Sequence, residues 1–231
     1  CNDNCPANLS GKPLRPMDVI VDLKHHMEDR FKVRDQEADP MNDISLWLTS
    51  GDEDNRDQVV IDPDVLWSCT TCRACMEVCP VGNEHIPDII DMRRYLTMSL
   101  GEVGHGSQKA LKGMESRANP WGMPTRERAE WAKNVPEAKL WDPEQPSEYL
   151  YWVGCAGAYD DRAKKVTKSV TRLMAKAGVD FAILGNEEKC TGDSARRLGD
   201  EYLFQNMAME NVENLNANGV KKIVTHCPHC L

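Results

Sequence analysis

The feature that most constrains this chain is a run of four cysteines within eleven residues, followed by a proline. The run is Cys69-x2-Cys72-x2-Cys75-x3-Cys79-Pro80. Three thiolates at steps of three residues, on a chain that turns tightly around one point, can hold three corners of a [4Fe–4S] cubane, and the fourth can reach a second cluster. Structural zinc takes its ligands from two separated pairs, so the spacing favours iron and sulfur.

A shorter motif at the start of the chain, Cys1-x3-Cys5-Pro6, repeats the end of that run. In two-cluster ferredoxins the fourth cysteine of each run binds the cluster of the other run. Such crossing over predicts one complete set of four ligands, namely Cys5, Cys69, Cys72 and Cys75. The second set would consist of Cys79 and Cys1 together with two cysteines outside these 231 residues.

Four further cysteines lie far apart in the sequence, and each follows a predicted β-strand. The predicted strands 149–153, 181–184 and 222–225 are separated by predicted helices 162–177 and 195–216, which is the pattern of a parallel sheet with crossover helices. Because the carboxyl ends of such strands meet at one edge, four thiols can converge there: Cys155, Cys190, Cys227 and Cys230. We interpret them as ligands of a third [4Fe–4S] cluster. The alternative is a structural zinc with His226 or His229 as a ligand.

These patterns divide the chain into an all-helical two-cluster ferredoxin domain at 1–117, a Pro- and Trp-rich segment at 118–147 and a parallel α/β cysteine-rich domain at 148–231. The predicted fold class is therefore α followed by α/β. Prolines at high density break regular elements, so we expect the middle segment to be a strap whose tryptophans pack against a surface: Trp121, Trp131 and Trp141.

Within the helical domain, apolar residues at near-helical spacing predict helices over 18–31 and 86–100. Between Gln36 and Asp64 the chain is acidic and interrupted by prolines, which predicts a loop with a short turn around Leu46–Leu48.

Composition narrows the classes of function. A formal charge of −9 and a pI near 5.2 argue against nucleic acid and against an anionic membrane surface as partners. No run approaches the roughly 18 apolar residues that span a bilayer. The first residue is Cys and the chain stops one residue after Cys230, so we expect it to be part of a longer polypeptide.

Four arginines can offset the negative charge of thiolate-bound clusters or can form ordinary salt bridges: Arg93, Arg94, Arg196 and Arg197. No Gly-rich phosphate loop and no Ser-His-Asp arrangement is visible, so the cysteines carry the chemistry that the sequence predicts.

Several segments resemble two domains of one known family. Cys5–Leu14, Cys69–Pro80 and Ile86-Pro87 resemble the helical two-cluster ferredoxin domain of heterodisulfide-reductase-like proteins. Three further segments resemble one repeat of the cysteine-rich "CCG" domain of that family: Tyr149–Cys155, Gly185–Asp193 and His226–Cys230. The order of the two domains is also that of the family.

Within this family, the surroundings of Cys190 and the segment Asn119-Pro120-Trp121-Gly122 are most similar to membrane-bound iron–sulfur proteins that take electrons from electron-transferring flavoprotein. The resemblance implies a relay of single electrons between a flavoprotein donor and membrane quinone. It also implies a second CCG repeat, and a membrane domain with possible haem and quinone, outside these residues. The clusters would then lie on the cytoplasmic side of the membrane.

One departure from the family concerns disulfide chemistry. The disulfide-reducing repeat of the family has two adjacent cysteines that help to hold a noncubane double cluster, and here the second is Thr191. Since a hydroxyl is a poor iron ligand, we expect an ordinary cubane or a vestigial site at this repeat. The alternative function, reduction of a disulfide, would then require the missing C-terminal repeat.

Overall fold

The computed structural model describes residues 1–34 and 59–231. These residues form two compact units. The first consists of Cys1–Val103 with Arg197–Gly199, and the second of Gly104–Arg196 with Asp200–Leu231. The predicted turn at Leu46–Leu48 lies outside the described residues.

The first unit is helical, as its apolar spacing predicts. Its helices are α1 (Pro6–Leu9), α2 (Pro16–Arg34), α3 (Pro63–Trp67), α4 (Ala74–Glu77) and α5 (His85–Arg94), and α5 continues into a π-helical segment, Tyr95–Leu100. Proline in the first turn of α1 and α3 presets the backbone for a helix. The core between these helices contains Cys5, Ala7, Leu14, Val19, Ile61, Leu66, Ile89, Met92 and Leu96.

The second unit places helices around a small sheet. After α6 (His105–Arg117) come β1 (Tyr149–Trp152), α7 (Gly154–Tyr159), α8 (Asp161–Lys176), β2 (Phe181–Ala182), α9 (Asp193–Arg197), α10 (Glu201–Ala217) and β3 (Ile223–Thr225). Among the described residues the sheet has the order β2-β1-β3 and is parallel throughout. The predicted parallel sheet is thus confirmed, and the carboxyl ends of its strands lie at one edge.

Strand β1 is central in the sheet and is buried on both faces. Leu150 and Tyr151 are 0 % exposed and Trp152 is 4 % exposed, as expected for a strand covered by helices on both sides. Leu150 pairs with Ala182 on one side and with Ile223 on the other. This strand therefore anchors the turn that carries Cys155.

The predicted helix over 195–216 is interrupted in the structure. Gly199 adopts a left-handed conformation with φ +86°, and the Asp200 side chain accepts a hydrogen bond from the backbone N–H of Leu203 at 3.0 Å. A left-handed glycine followed by an N-capping aspartate ends one helix and begins another. In the sequence, the pair Gly199-Asp200 indicates this break, but the apolar periodicity continues on both sides of it and predicts one uninterrupted helix.

The Pro- and Trp-rich segment packs against the second unit at two of its three tryptophans. Trp131 is 4 % exposed and lies in the core, where Met114 of α6 also lies. The Trp141 indole donates a hydrogen bond to the Asn218 carbonyl at 2.9 Å, whereas Trp121 is 49 % exposed. Helix α6, which the sequence places in the helical domain, contributes to the core of the second unit.

None of the helices in the described part of the chain combines the length and the apolar character that crossing a bilayer requires.

We predict that Trp131→Ala lowers the free energy of unfolding of the second unit by about 3–5 kcal/mol, because it leaves a large cavity in a packed core. Trp121→Ala, in the same segment but half-exposed, is the matched control and should cost about 1 kcal/mol or less. Urea unfolding followed by circular dichroism measures both. Equal losses would show that the segment does not contribute to the core through Trp131.

Candidate iron–sulfur sites

The loop that carries the first three cysteines of the run is tightly curled. Thr71 and Arg73 have φ values of 56° and 65°, a left-handed conformation that residues with a side chain rarely adopt. Such strain persists only where the surroundings require it, most often at functional sites. The backbone N–H of Thr71 donates to Cys69 Sγ at 3.3 Å, so the curl directs backbone donors towards sulfur.

The structure brings Cys5 close to this loop. Burial raises the pKa of the Cys69 and Cys75 thiols, and both are raised further by the neighbouring Cys5. Cys69 is influenced by Cys72 in the same way. Cys5, Cys69 and Cys75 thus lie near enough to interact electrostatically, and Cys72 lies near enough to Cys69. These are the four cysteines that crossing over predicts as one ligand set.

Cys79 lies apart from that group. Its sulfur accepts a hydrogen bond from the backbone N–H of Asn83 at 3.2 Å. The N–H groups of Val81 and Asn83 lower the pKa of its thiol, and the residue Cys1 lies nearby. Backbone donors around a sulfur favour the thiolate that iron binds. The proximity of Cys79 to Cys1 is what the predicted second set requires.

The other four cysteines line one cavity of about 120 Å³ at the carboxyl edge of the sheet. A water molecule takes about 30 Å³, so the cavity can hold a group of several atoms. Cys155 lies just after β1, Cys190 follows β2, and Cys227 and Cys230 follow β3. The remaining lining residues are Pro120, Trp121, Ala156, Thr191, Asp193, Ser194 and His229. Convergence of distant thiols on one cavity fits a cluster in this unit.

The described residues do not form an obvious site for a single metal ion such as zinc. In residues 1–34 and 59–231, no three His, Cys, Asp or Glu side chains converge closely enough to hold one ion. Of the two histidines considered as zinc ligands, His229 lines the cavity and its Nδ1 lies 3.0 Å from the Asp193 carboxylate. His226 Nδ1 hydrogen-bonds to the Tyr151 hydroxyl at 2.8 Å instead.

A glycine makes room for the last cysteine. Gly154 adopts φ +78°, and a Cβ built on it would lie 2.8 Å from Cys230 Sγ and 3.7 Å from Cys227 Cβ. A side chain at this position would displace the sulfur. The turn between β1 and α7 therefore depends on glycine for both its conformation and its space.

A buried ion pair supports the same turn. Arg128 and Glu188 are 2 % and 3 % exposed, and Arg128 Nη2 lies 2.6 Å from Glu188 Oε1. The carboxylate accepts hydrogen bonds from the backbone N–H groups of Val153 and Gly154 at 2.9 and 2.8 Å. Glu188 thereby holds the end of β1 in place just before Cys155.

Arg128 also contacts the Cys155 sulfur directly. Its Nη1 and Nη2 each lie 3.6 Å from Cys155 Sγ. Burial alone would lower the pKa of Arg128, but Glu188 and the Cys155 thiolate raise it above its usual range. The guanidinium is therefore permanently charged and stabilises a thiolate at Cys155. Arg128 and Glu188 are 60 positions apart. Glu188 lies within the CCG-like segment Gly185–Asp193 and Arg128 lies in no motif, and the sequence alone assigned a role to neither of them.

The Cys155 and Cys190 thiols interact with each other. A hydrogen bond between them raises the pKa of Cys155 and lowers that of Cys190. The backbone N–H of Gly192 also donates to Cys190 Sγ, at 3.5 Å. Burial and the adjacent Cys227 raise the pKa of the Cys230 thiol. The pKa is thus raised at two of these thiols, Cys155 and Cys230, and lowered at Cys190.

The segment Asn119–Gly122 forms part of the cavity wall. Asn119 is 0 % exposed, and its amide donates to the carbonyls of Arg117 and Met123, each at 2.8 Å, and accepts from the Met123 N–H. The Ala118 carbonyl accepts a hydrogen bond from the Cys190 N–H at 3.0 Å. These bonds place Pro120 and Trp121 beside the cysteines.

Comparison with known proteins identifies two family models in the chain. A "4Fe-4S dicluster domain" matches residues 1–83, and a "Cysteine-rich domain" matches residues 149–231. No solved structure matches the chain.

Three curated relatives illustrate the range of similar proteins. An EtfAB:quinone oxidoreductase of Syntrophomonas wolfei is 41 % identical over 99 % of this chain and 34 % of its own length. A probable membrane-anchored ferredoxin of Chromohalobacter salexigens is 35 % identical over 99 % of this chain and 34 % of its own length. One subunit of the dihydromethanophenazine:CoB–CoM heterodisulfide reductase of Methanosarcina barkeri is 28 % identical over 100 % of this chain and 53 % of its own length. The chain thus spans between a third and about half of these relatives.

We predict that Gly154→Ala removes about four irons per chain, the content of one cubane, because the new Cβ would lie 2.8 Å from Cys230 Sγ. Gly178→Ala is the control, since Gly178 has a similar φ of +73° but nothing within 4 Å of its Cβ position. Iron and acid-labile sulfide analysis compares the two. Equal iron content in both variants would show that Cys230 does not need this space.

We also predict that Arg128→Met destabilises the second unit by about 3–5 kcal/mol, since it leaves the Glu188 carboxylate buried without its cation. The double variant Arg128→Met/Glu188→Gln removes both charges and should recover part of that loss. Free energies of unfolding of the two single variants and the double variant form a cycle. A double variant whose loss equals the sum of the single losses would show that the pair is not coupled.

Proposed function

We propose that this chain, which has a 4Fe-4S dicluster domain followed by a cysteine-rich domain and is related to heterodisulfide reductase, relays single electrons from a flavoprotein donor to membrane quinone. The observation that carries the proposal is the grouping of the thiols. Cys5 joins the loop of the cysteine run in one unit, and four distant cysteines line one cavity in the other.

The residues of the chain have two tasks in this function. A [4Fe–4S] cluster, when bound, supplies a centre that accepts and releases one electron at a time. The cysteines would hold it: Cys5, Cys69, Cys72 and Cys75 for one cluster, Cys79 and Cys1 for part of another, and Cys155, Cys190, Cys227 and Cys230 for a third. Backbone N–H groups that point at sulfur, such as those of Thr71 and Asn83, adjust the reduction potential.

The proposed partners follow from the relatives. One of them is named for EtfAB and quinone, which supports an electron-transferring flavoprotein as the donor and quinone as the acceptor. Another is named as membrane-anchored, which supports association with the membrane, and we propose the cytoplasmic side. No residue of the described sites needs to act as an acid or a base, because the chemistry is electron transfer.

Disulfide reduction is a second candidate, favoured by the similarity to the heterodisulfide reductase of Methanosarcina barkeri. The cysteine-rich domain described here does not support it directly. Where a second adjacent thiolate would be needed, Thr191 donates its hydroxyl to the His229 carbonyl at 3.4 Å. Reduction of a disulfide would therefore depend on residues outside this chain.

We predict that Cys72→Ser abolishes electron flow from the reduced flavoprotein to quinone and removes about four irons per chain, because a hydroxyl does not replace a thiolate ligand. Reduction of the flavin in the donor should be unaffected. Thr70→Ser, a conservative change of an exposed residue in the same loop, is the control and should retain both iron and electron flow. The measurement uses full-length protein purified without oxygen.

Electron flow at the wild-type rate in Cys72→Ser would overturn the relay. Zinc in place of iron in the wild-type protein would overturn the cofactor assignment as well, since a zinc protein is colourless and redox-inactive.

A further inference from the structure

Arg93 in helix α5 is buried beside the cysteine run, and within residues 1–34 and 59–231 its guanidinium donates its hydrogen bonds to backbone carbonyls. The residue is 4 % exposed. Nε and Nη2 donate to the Leu66 carbonyl at 3.1 and 2.5 Å, Nη2 donates to the Cys69 carbonyl at 2.6 Å, and Nη1 donates to the Arg197 carbonyl at 2.8 Å. The guanidinium carbon lies 5.2 Å from the centre of the Trp67 ring. These contacts fix the cation at the backbone of a cysteine ligand.

Among the described residues, no Asp or Glu forms an ion pair with Arg93, and its acceptors are neutral carbonyls. Burial lowers the pKa of Arg93, the thiolate of Cys69 opposes that effect, and Arg197 adds to it. A buried charge without a counter-charge is strongly unfavourable, so the Arg93 cation needs a negative charge nearby. Among the described side chains, the thiolates of the cysteines are the groups that can supply it.

The other three arginines noted in the sequence differ in their contacts. Arg94 pairs with Asp91 at 2.8 Å on the surface, and Arg196 lies 3.9 Å from Glu201. Arg197 donates to the Thr71 hydroxyl in the curled loop and offers its carbonyl to Arg93. Of the four, only Arg93 combines burial with a hydrogen bond to the backbone of a cysteine of the run.

The buried Arg128 of the second unit differs from Arg93 because a carboxylate neutralises its charge. Its charge is balanced by Glu188 at 2.6 Å, so Arg128 and Glu188 together add no net charge beside Cys155. Arg93 adds a full positive charge beside Cys69. A cubane held by four thiolates would be anionic, and its reduced state would carry one more negative charge than its oxidised state.

We propose that Arg93 is the fixed counter-charge of the site formed by Cys5, Cys69, Cys72 and Cys75, and that it raises the reduction potential of this site. The proposal rests on the proposed function, because it requires a cluster there. A cation held in a low-dielectric interior stabilises the more negative, reduced state more than the oxidised state. Arg93 acts through the charge on the cluster and its ligands, and so it is a positioning residue and not a ligand.

The test compares Arg93→Met, Arg93→Lys and the control Arg94→Gln in the full-length protein. The readout is the midpoint potential of each cluster, from a redox titration followed by electron paramagnetic resonance. In Arg93→Met, the equilibrium constant for reduction of one cluster should fall about tenfold, which lowers its midpoint potential by ~59 mV for a one-electron couple. The other clusters should not shift and serve as an internal reference. Arg93→Lys should retain most of the wild-type potential, and Arg94→Gln should retain all of it.

Two results would overturn the inference. One is an unchanged potential in Arg93→Met with its full iron content, and the other is an equal shift in the Met and Lys variants, which would make shape and not charge the determinant. If Arg93→Met loses the iron of this site, iron retention becomes the readout. Iron in Arg93→Lys but not in Arg93→Met then supports the proposal, and loss of iron from both overturns it.

Failure of this inference is distinguishable from failure of the proposed function. Wild-type protein without iron and acid-labile sulfide would contradict the proposed function itself. Wild-type protein with its clusters, whose potentials do not respond to Arg93, would contradict only the role of Arg93.

Discussion

Gathering thiolates inside a protein is electrostatically unfavourable, and much of the described structure around the cysteines offsets that cost. Like charges in a low-dielectric environment repel one another strongly, and burial raises the pKa of Cys69, Cys75 and Cys230 accordingly. Backbone N–H groups of Thr71, Asn83 and Gly192 point at sulfur. An iron–sulfur cluster would remove the remaining imbalance, since its iron ions are the cations that the thiolates lack.

The two units stabilise their thiolates with different charges. In the second unit Arg128 contacts Cys155 while Glu188 neutralises it and secures the turn after β1. In the first unit Arg93 contacts the Cys69 carbonyl, and no carboxylate of the described part of the chain pairs with it. Two sites with the same kind of ligand can therefore have different reduction potentials, because the potential depends on the charge and hydrogen bonds around the sulfur. A relay needs such differences to give electrons a direction.

Much of this architecture could be predicted from the sequence. Helices α2 and α5 of the first unit and the parallel strands around β1 follow from apolar periodicity, which reports the buried face of an element. The convergence of Cys155, Cys190, Cys227 and Cys230 could be inferred from their positions after the strands. The break at Gly199 was missed, since a helix pattern on both sides of it obscures a two-residue signal. The neighbours of helix α6 could not be predicted. Its apolar face indicates that one side of the helix is buried, but it does not identify the core against which that side packs.

The cysteine spacing by itself determined the kind of cofactor that the chain can hold, because the number and order of thiolates on a short loop restrict the chemistry before the chain folds. Tertiary structure alone decided which charges surround those thiolates. Arg128 and Glu188 are far apart along the chain and meet only across the fold. Arg93 could not be distinguished from Arg94 until the helix buried Arg93 and left the Arg94 side chain partly exposed. The physical reason is that ligand identity is a local covalent property, whereas burial and the pairing of charges depend on contacts between distant parts of the chain.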